Sequence, residues 1–153
     1  MIIVKNKDLL DKYISTTGIS RLFSQDISNL LELFSLEKGD FLINEGECSD
    51  YLFFLVNGKL KVFSHSTSGK IRSLSLFNSF QIIGETCSLW NKPPTASVQA
   101  TCKTYCIGIS MQYRDLLLND IVFLRYICQN LGDKLSYMNN NTCINLYESL
   151  ESR

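Results

Sequence analysis

The chain has 153 residues, and its 15 basic and 15 acidic side chains cancel to a formal net charge of zero. Tight nucleic-acid binding depends on a surplus of lysine and arginine, so we do not expect this chain to bind DNA by itself. The length fits one domain, and 45% hydrophobic residues predict a globular chain with its own core. No apolar run approaches the ~20 residues of a membrane-spanning helix and no signal peptide opens the chain, which predicts a cytoplasmic protein without membrane contact.

Helical spacing dominates residues 1–35. Residues 8–14 form a short amphipathic stretch that ends before Gly18, which predicts a first helix. Apolar residues then recur at intervals of three and four from Ile27 to Phe34, behind a candidate N-cap at Asp26 or Ser24. This second pattern predicts another short N-terminal helix.

Residues 36–110 change to short runs of β-branched and aromatic residues separated by turn residues. Many short strands at such spacing are typical of a sandwich, roll or barrel. Asn57-Gly58 lies between two apolar runs and predicts a hairpin turn, because both residues tolerate positive φ. Residues 65–70 predict an exposed hairpin tip. The predicted strands are 41–43, 51–56, 59–63, 71–77, 81–83, 97–101 and 105–109.

The region 111–153 returns to helical spacing and predicts a continuous helix from about residue 120 to 150. Its apolar stripe is longer than a small roll needs, which predicts a homodimer formed through this helix. The alternative is that the stripe packs back onto the roll as core. The predicted fold class is α+β and mainly β: a double-stranded β-helix, that is a jelly-roll-like roll, with short N-terminal helices and a long C-terminal dimerisation helix. The predicted dimer-face residues are Leu124, Ile127, Leu131, Leu135 and Met138.

The six cysteines include no CxxC pair. A disulfide framework is not expected in a domain of this size without a secretory signal, and six buried thiols are the first interpretation. The alternative is metal or iron–sulfur ligation, because Cys102 and Cys106 would share one face of a strand. Metal clusters need closer pairs and further ligands that the sequence does not show, so we predict no cofactor. The single histidine, His65, argues against an enzyme with a histidine-rich metal site.

The segment GETCSLWNKPPTASVQA at residues 84–100 follows a predicted strand and has the chemistry to bind a phosphate and a ribose. Gly84 lets the backbone approach a ligand, and successive N–H groups in a tight turn form an anion-binding nest. Glu85 can accept hydrogen bonds from sugar hydroxyls. A turn and a capped strand without a ligand explain the same residues.

Two segments carry a resemblance to a known family. The stretch GDFLINEGECSDYLFFLVNGKLKVF at residues 39–63 resembles the opening β-roll of cyclic-nucleotide-binding domains, and residues 84–100 resemble the family's phosphate-binding cassette. That cassette usually begins with Gly-Glu and ends with Arg-Ser/Thr-Ala. The resemblance implies an effector pocket formed by Gly84, Glu85, Thr86, Cys87, Ser88, Pro94, Thr95 and Ala96.

The cassette departs from the family's pattern at Pro94, where the family has an arginine that pairs with the cyclic phosphate. Proline has neither charge nor N–H, and Lys92 could replace that contact only if the loop bends. Losing a charge-assisted pair costs roughly 1.5–3 kcal/mol, or about ten- to hundredfold in affinity. We therefore predict an unknown small-molecule effector other than cyclic AMP or cyclic GMP. Thiol chemistry at Cys87, beside Lys92, is an alternative use of the site.

The rest of the chain resembles Crp/Fnr-type bacterial transcription regulators: IGIS at residues 107–110 is similar to their last strand, and the long helix to their dimer helix. This implies an effector-sensing domain at residues 1–110 and C-terminal helices at 111–153 that end at the hinge. DNA would be bound only by a helix-turn-helix domain that this sequence does not contain. An effector between roll and helix would reorient those domains. The alternative is a free-standing interaction or regulatory module with a degenerate, ligand-free pocket.

Overall fold

The computed structural model describes the backbone of residues 1–151 and the side chains of residues 1–71 and 75–136. The strands are β1 (Ile2–Val4), β2 (Leu31–Leu36), β3 (Phe41–Ile43), β4 (Tyr51–Asn57), β5 (Leu60–His65), β6 (Ile71–Phe77), β7 (Gln81–Ile83), β8 (Ser97–Ala100) and β9 (Thr104–Ser110). The α-helices are α1 (Lys7–Thr17), α2 (Arg114–Leu118) and α3 (Ile121–Glu151). Short 3-10 turns occupy Ile19–Leu22, Ser28–Leu30, Ser88–Trp90 and Met111–Tyr113.

Two antiparallel sheets form the roll. One sheet has the strand order β1-β2-β9-β4-β7, and the other has the order β3-β8-β5-β6. Apolar side chains from both sheets meet in one core. A second core lies between the five-stranded sheet and the helical segments at both ends of the chain. The predicted mainly β, jelly-roll-like architecture is thereby confirmed.

The N-terminal region contains the clearest error of the sequence prediction. The helix predicted over residues 27–34 does not form: a 3-10 turn at Ser28–Leu30 leads directly into β2. β2 is buried on both faces, with Leu33 in the core against the helices and Phe34 in the core between the sheets. A strand buried on both faces lacks polar alternation, so its apolar spacing resembles that of a helix. The prediction also omits β1, which pairs with β2.

The seven predicted strands all form, with ends that differ from the prediction by no more than two residues. The hairpin predicted at Asn57-Gly58 does not, because β4 belongs to one sheet and β5 to the other, so these residues connect the two sheets. Gly58 has φ of +112°, and a Cβ there would lie 2.7 Å from the Cα of Thr104. Only glycine therefore fits this close crossing. The hairpin predicted at residues 65–70 is confirmed, since β5 pairs with β6.

The start of α3 is fixed to the roll by a buried carboxylate. Asp120, 1% exposed, accepts hydrogen bonds from the backbone N–H groups of Val122 (3.0 Å) and Phe123 (3.2 Å) at the helix start. Its second oxygen accepts from the backbone N–H of Ser24 (2.8 Å). Burial raises the pKa of Asp120, but the hydrogen bonds from Ser24, Phe123 and Val122 outweigh it and hold the pKa below its usual value. The ring of Phe123 stacks on that of Phe23, with centroids 5.0 Å apart.

The apolar stripe of α3 divides between two faces. Ile127, predicted on the dimer face, is 3% exposed and lies in the core with Phe123. At Ile127 this burial agrees with the alternative in which the stripe packs back onto the roll as core, and Leu131 packs against the same cluster. Leu124 and Leu131 are half-buried and Leu135 is exposed, while the side chain of Met138 lies outside the described residues. Within the described chain, no helix is long and apolar enough to cross a membrane.

The cysteines do not form the uniformly buried set that the sequence suggested. Cys48 and Cys128 are exposed and Cys102 is half-buried, whereas Cys87 and Cys106 are buried. The side chain of Cys143 lies outside the described residues. Burial raises the pKa of the Cys106 thiol to about 12, which makes it unreactive. Cys102 precedes β9, so it does not share a strand face with Cys106. Among the described residues, no group of three or more His, Cys, Asp or Glu side chains is arranged to hold a metal ion.

Candidate effector pocket

A cavity of about 320 Å³ opens where the cassette faces the four-stranded sheet. Apolar residues of the roll form its walls, among them Ile43, Val62 and Val98. Of the eight residues predicted for the effector pocket, the cavity is lined by Gly84, Glu85, Thr86, Cys87, Pro94, Thr95 and Ala96. The cassette therefore does border a cavity, as the sequence predicts, and the cavity is large enough for a small organic molecule.

Ser88, the eighth predicted residue, does not line the cavity but supports the turn behind it. Gly84 has φ of +101°, and a Cβ there would lie 2.7 Å from the Ser88 hydroxyl oxygen. The backbone N–H groups of Ser88 (2.8 Å) and Cys87 (3.2 Å) both donate to the carbonyl of Gly84. These two amides are used within the turn, so they do not contribute to an anion-binding nest.

The loop that follows brings prolines and a lysine to the cavity. Pro94 is buried, and its carbonyl accepts a hydrogen bond from the backbone N–H of Gly46 (2.9 Å). Lys92 is exposed and also lines the cavity. The loop thus places Lys92 at the pocket, while Pro94 contributes no charge and no donor. Trp90, 51% exposed, ends the 3-10 turn between the two halves of the cassette.

The carboxylate of Glu85 is the buried charge of the pocket. Glu85 is 3% exposed, and its Oε1 forms an ion pair with the ammonium group of Lys134 on α3. Burial, and then the charge of Glu85, raise the pKa of Tyr126, which lies two turns before Lys134 on the same helix. Lys134 also lines the cavity, with its side chain 37% exposed. The long helix therefore supplies a charged group to the pocket.

Two residues of this site, Lys134 and Arg114, were not identified from the sequence. Arg114 of α2 donates from Nη2 to the carbonyl of Ser88 (3.1 Å), while its buried Nε has no partner among the described residues. Lys134 meets Glu85 across 49 positions of sequence. Neither residue stands in a recognisable motif, and only the folded chain brings them to the cassette.

A model of the cyclic nucleotide-binding domain family matches residues 33–119. The chain belongs to this family. The matched region runs from β2 to the residue after α2 and contains the whole cassette. The chain is 30% identical over 121 residues to the regulatory protein YeiL of Escherichia coli O157:H7. That alignment covers 78% of this chain and 55% of the relative, so the chain spans about half the length of that regulator.

Solved structures of bacterial regulators share the fold. A transcriptional regulator from Thermotoga maritima superposes with a TM-score of 0.63 at 18% identity, covering 74% of this chain and 90% of that one. The catabolite activator protein of Thermus thermophilus superposes with a TM-score of 0.58 at 20% identity, covering 93% of this chain and 59% of that one. The resemblance to cyclic-nucleotide-binding domains that the sequence indicates is confirmed by the family match, and these structures share the fold of the chain.

Proposed function

We propose that this chain is the effector-sensing and dimerisation part of a cytoplasmic Crp/Fnr-type transcription regulator whose effector is not a standard cyclic nucleotide. The roll at residues 1–110 holds the effector, and the helices at 111–153 carry the signal. DNA contacts belong to a domain outside this sequence, which fits the zero net charge. The observation that carries the proposal is a cavity bordered by the family's cassette, in which Pro94 stands where the family has arginine.

The chemistry of Pro94 decides the class of effector. A cyclic phosphate buried beside Pro94 would lack a charge-assisted partner at that position, at a cost of roughly 1.5–3 kcal/mol. Lys92 lines the cavity but is exposed, and a flexible, solvated ammonium group cannot replace a planar bidentate guanidinium. We therefore expect cyclic AMP to bind this chain weakly.

Calorimetric titration with cyclic AMP tests this step directly. Pro94→Arg should increase the affinity for cyclic AMP about ten- to hundredfold, because it restores the charge-assisted pair. The matched control is Pro93→Arg, which adds the same group one residue earlier at an exposed position. Submicromolar binding of cyclic AMP by the unmodified chain would overturn the assignment of Pro94.

The dimer rests on the outer face of α3. Leu124, Cys128, Leu131 and Leu135 recur at intervals of four, three and four, which is the spacing of a two-helix seam. Leu131 lies at the border of this face, because it also packs against the core. Leu135→Glu should weaken a dimer measured by sedimentation at least tenfold, about 1.4 kcal/mol, whereas Ser136→Glu, exposed and off this stripe, should not.

Mild oxidation should link two copies through Cys128, and Cys128→Ser should prevent the link. A strict monomer at high micromolar concentration would contradict the dimer.

A second candidate is a regulatory module whose pocket binds no small molecule. It is favoured by the ion pair, since the carboxylate of Glu85 already has a partner within the chain. If neither cyclic AMP nor adenosine binds any variant, Pro94→Arg included, while the roll remains folded, the hypothesis of a ligand-free pocket is supported.

A further inference from the structure

The ion pair between Glu85 and Lys134 joins the two parts of the molecule that an effector would have to couple. Glu85 belongs to the cassette, and Lys134 lies thirteen residues beyond the start of α3. Both residues line the cavity. The carboxylate of Glu85, which could accept hydrogen bonds from a ligand, is therefore already paired with the side chain of Lys134.

One face of α3 turns toward the cassette at this level. Tyr126, Asn130 and Lys134 follow each other at intervals of four and so lie along one side of the helix. Of these three residues, Lys134 forms the ion pair with Glu85. Between Tyr126 and Lys134, the side-chain oxygen of Asn130 is buried without a hydrogen-bond partner among the described residues. The face is therefore apolar at Tyr126, which packs against the cluster that contains Phe123 and Ile127, and becomes polar and incompletely satisfied at Asn130 and Lys134.

The two members of the pair differ in how easily they can be separated from each other. Lys134 is 37% exposed, so its ammonium group can move into water at little cost. Glu85 is 3% exposed, and a buried carboxylate left without a partner is strongly destabilising. Only a ligand that itself donates hydrogen bonds to Glu85 can therefore displace Lys134.

We propose that Lys134 is an internal competitor for Glu85, which a hydroxyl-bearing neutral or anionic effector displaces, so that this part of α3 is released from the roll. The inference rests on the proposed function of the pocket. A cationic effector is disfavoured because the cavity is already lined by Lys92 and Lys134 against the single carboxylate of Glu85. Effector binding and docking of α3 at Lys134 thus exclude each other.

Hydrogen exchange tests the docking contact without any ligand. Lys134→Met keeps the length of the side chain and removes its charge, and Glu85→Gln removes the partner's charge. Both should increase exchange of the amides of residues 128–136 at least roughly threefold, while the amides of β4 and β9 stay protected. Lys103→Met is the matched control, because it removes the ion pair with Glu37, which does not involve α3. Unchanged exchange in Lys134→Met would overturn the proposal.

Adenosine is the probe for competition, because it is neutral, offers vicinal hydroxyls and has an apolar base for the walls of the cavity. Lys134→Met should bind adenosine at least tenfold more tightly than the unmodified chain does, whereas Glu85→Gln should show no increase in affinity for adenosine. 2′-Deoxyadenosine lacks one hydroxyl, so Lys134→Met should increase the affinity for it less than the affinity for adenosine. Equal or weaker binding of adenosine by Lys134→Met, or none, would overturn the competition. The titration of Pro94→Arg with cyclic AMP tests separately whether the pocket binds an effector at all.

Discussion

The helix α3 contacts the roll in two places that differ in kind. Near its start, Asp120, Phe123 and Ile127 are buried and joined to the N-terminal segment by stacking and hydrogen bonds. Farther along, Lys134 is half-exposed and meets the roll through its ion pair with Glu85. The first contact combines apolar burial with the hydrogen bonds of Asp120, and none of its three residues lines the cavity. The second depends on charge, and it is the contact that an effector can change.

The largest effect is expected from Phe123→Ala. This ring is fully buried and stacked on Phe23, so its loss should lower the free energy of unfolding by about 3–5 kcal/mol. Ile121→Ala, at an exposed position two residues earlier on the chain, should stay within about 0.5 kcal/mol. Urea unfolding of both variants measures the difference. Similar losses in both would show that the start of α3 is not anchored as described.

Asp120→Ala should have a smaller but still large effect, about 2–4 kcal/mol, because it removes the cap of α3 and leaves the amide of Ser24 without a partner. The folded pKa of Asp120 is lowered, so its contribution is complete above the unfolded pKa of about 3.9 and is lost as the pH falls through the lower folded pKa. Asp120→Asn, which cannot titrate, is the control. The stability difference between this variant and the unmodified chain should be constant from pH 5 to about 7 and shrink below about pH 4. A difference that grows on acidification would contradict the assignment.

The smallest effect concerns salt. Screening shortens the range of electrostatic interactions from about 10 Å at 0.1 M to 3 Å at 1 M salt. Lys134 is half-exposed but Glu85 is buried, so salt screens this pair only in part. Exchange of the amides of residues 128–136 should therefore rise at most about two- to fivefold with added NaCl, as for a loss of up to ~1 kcal/mol. The amides of Phe123 and Leu124 should respond little, and Lys134→Met should abolish the response. Equal salt sensitivity along the whole helix would remove the distinction between the two contacts.

The sequence predicts the roll well where turn residues separate short apolar runs, as at residues 65–70. It fails where a strand is buried on both faces, as in β2, because the alternation that marks a strand is then absent. It also fails at Asn57-Gly58, since local residues specify a turn but not which sheet the next strand joins. In the pocket, the cassette could be predicted from its consecutive residues. Lys134 could not, because its role arises only when α3 lies against Glu85.

Trp90 gives the molecule a built-in optical reporter. It is the only tryptophan of the chain, it is half-exposed, and it ends the turn that follows Gly84 and precedes Lys92. Arg114 holds the same turn by its hydrogen bond to Ser88. All tryptophan fluorescence of this chain therefore originates beside the pocket. Emission excited at the red edge of the aromatic band will report on the cassette without any attached label, against a background free of other indole rings.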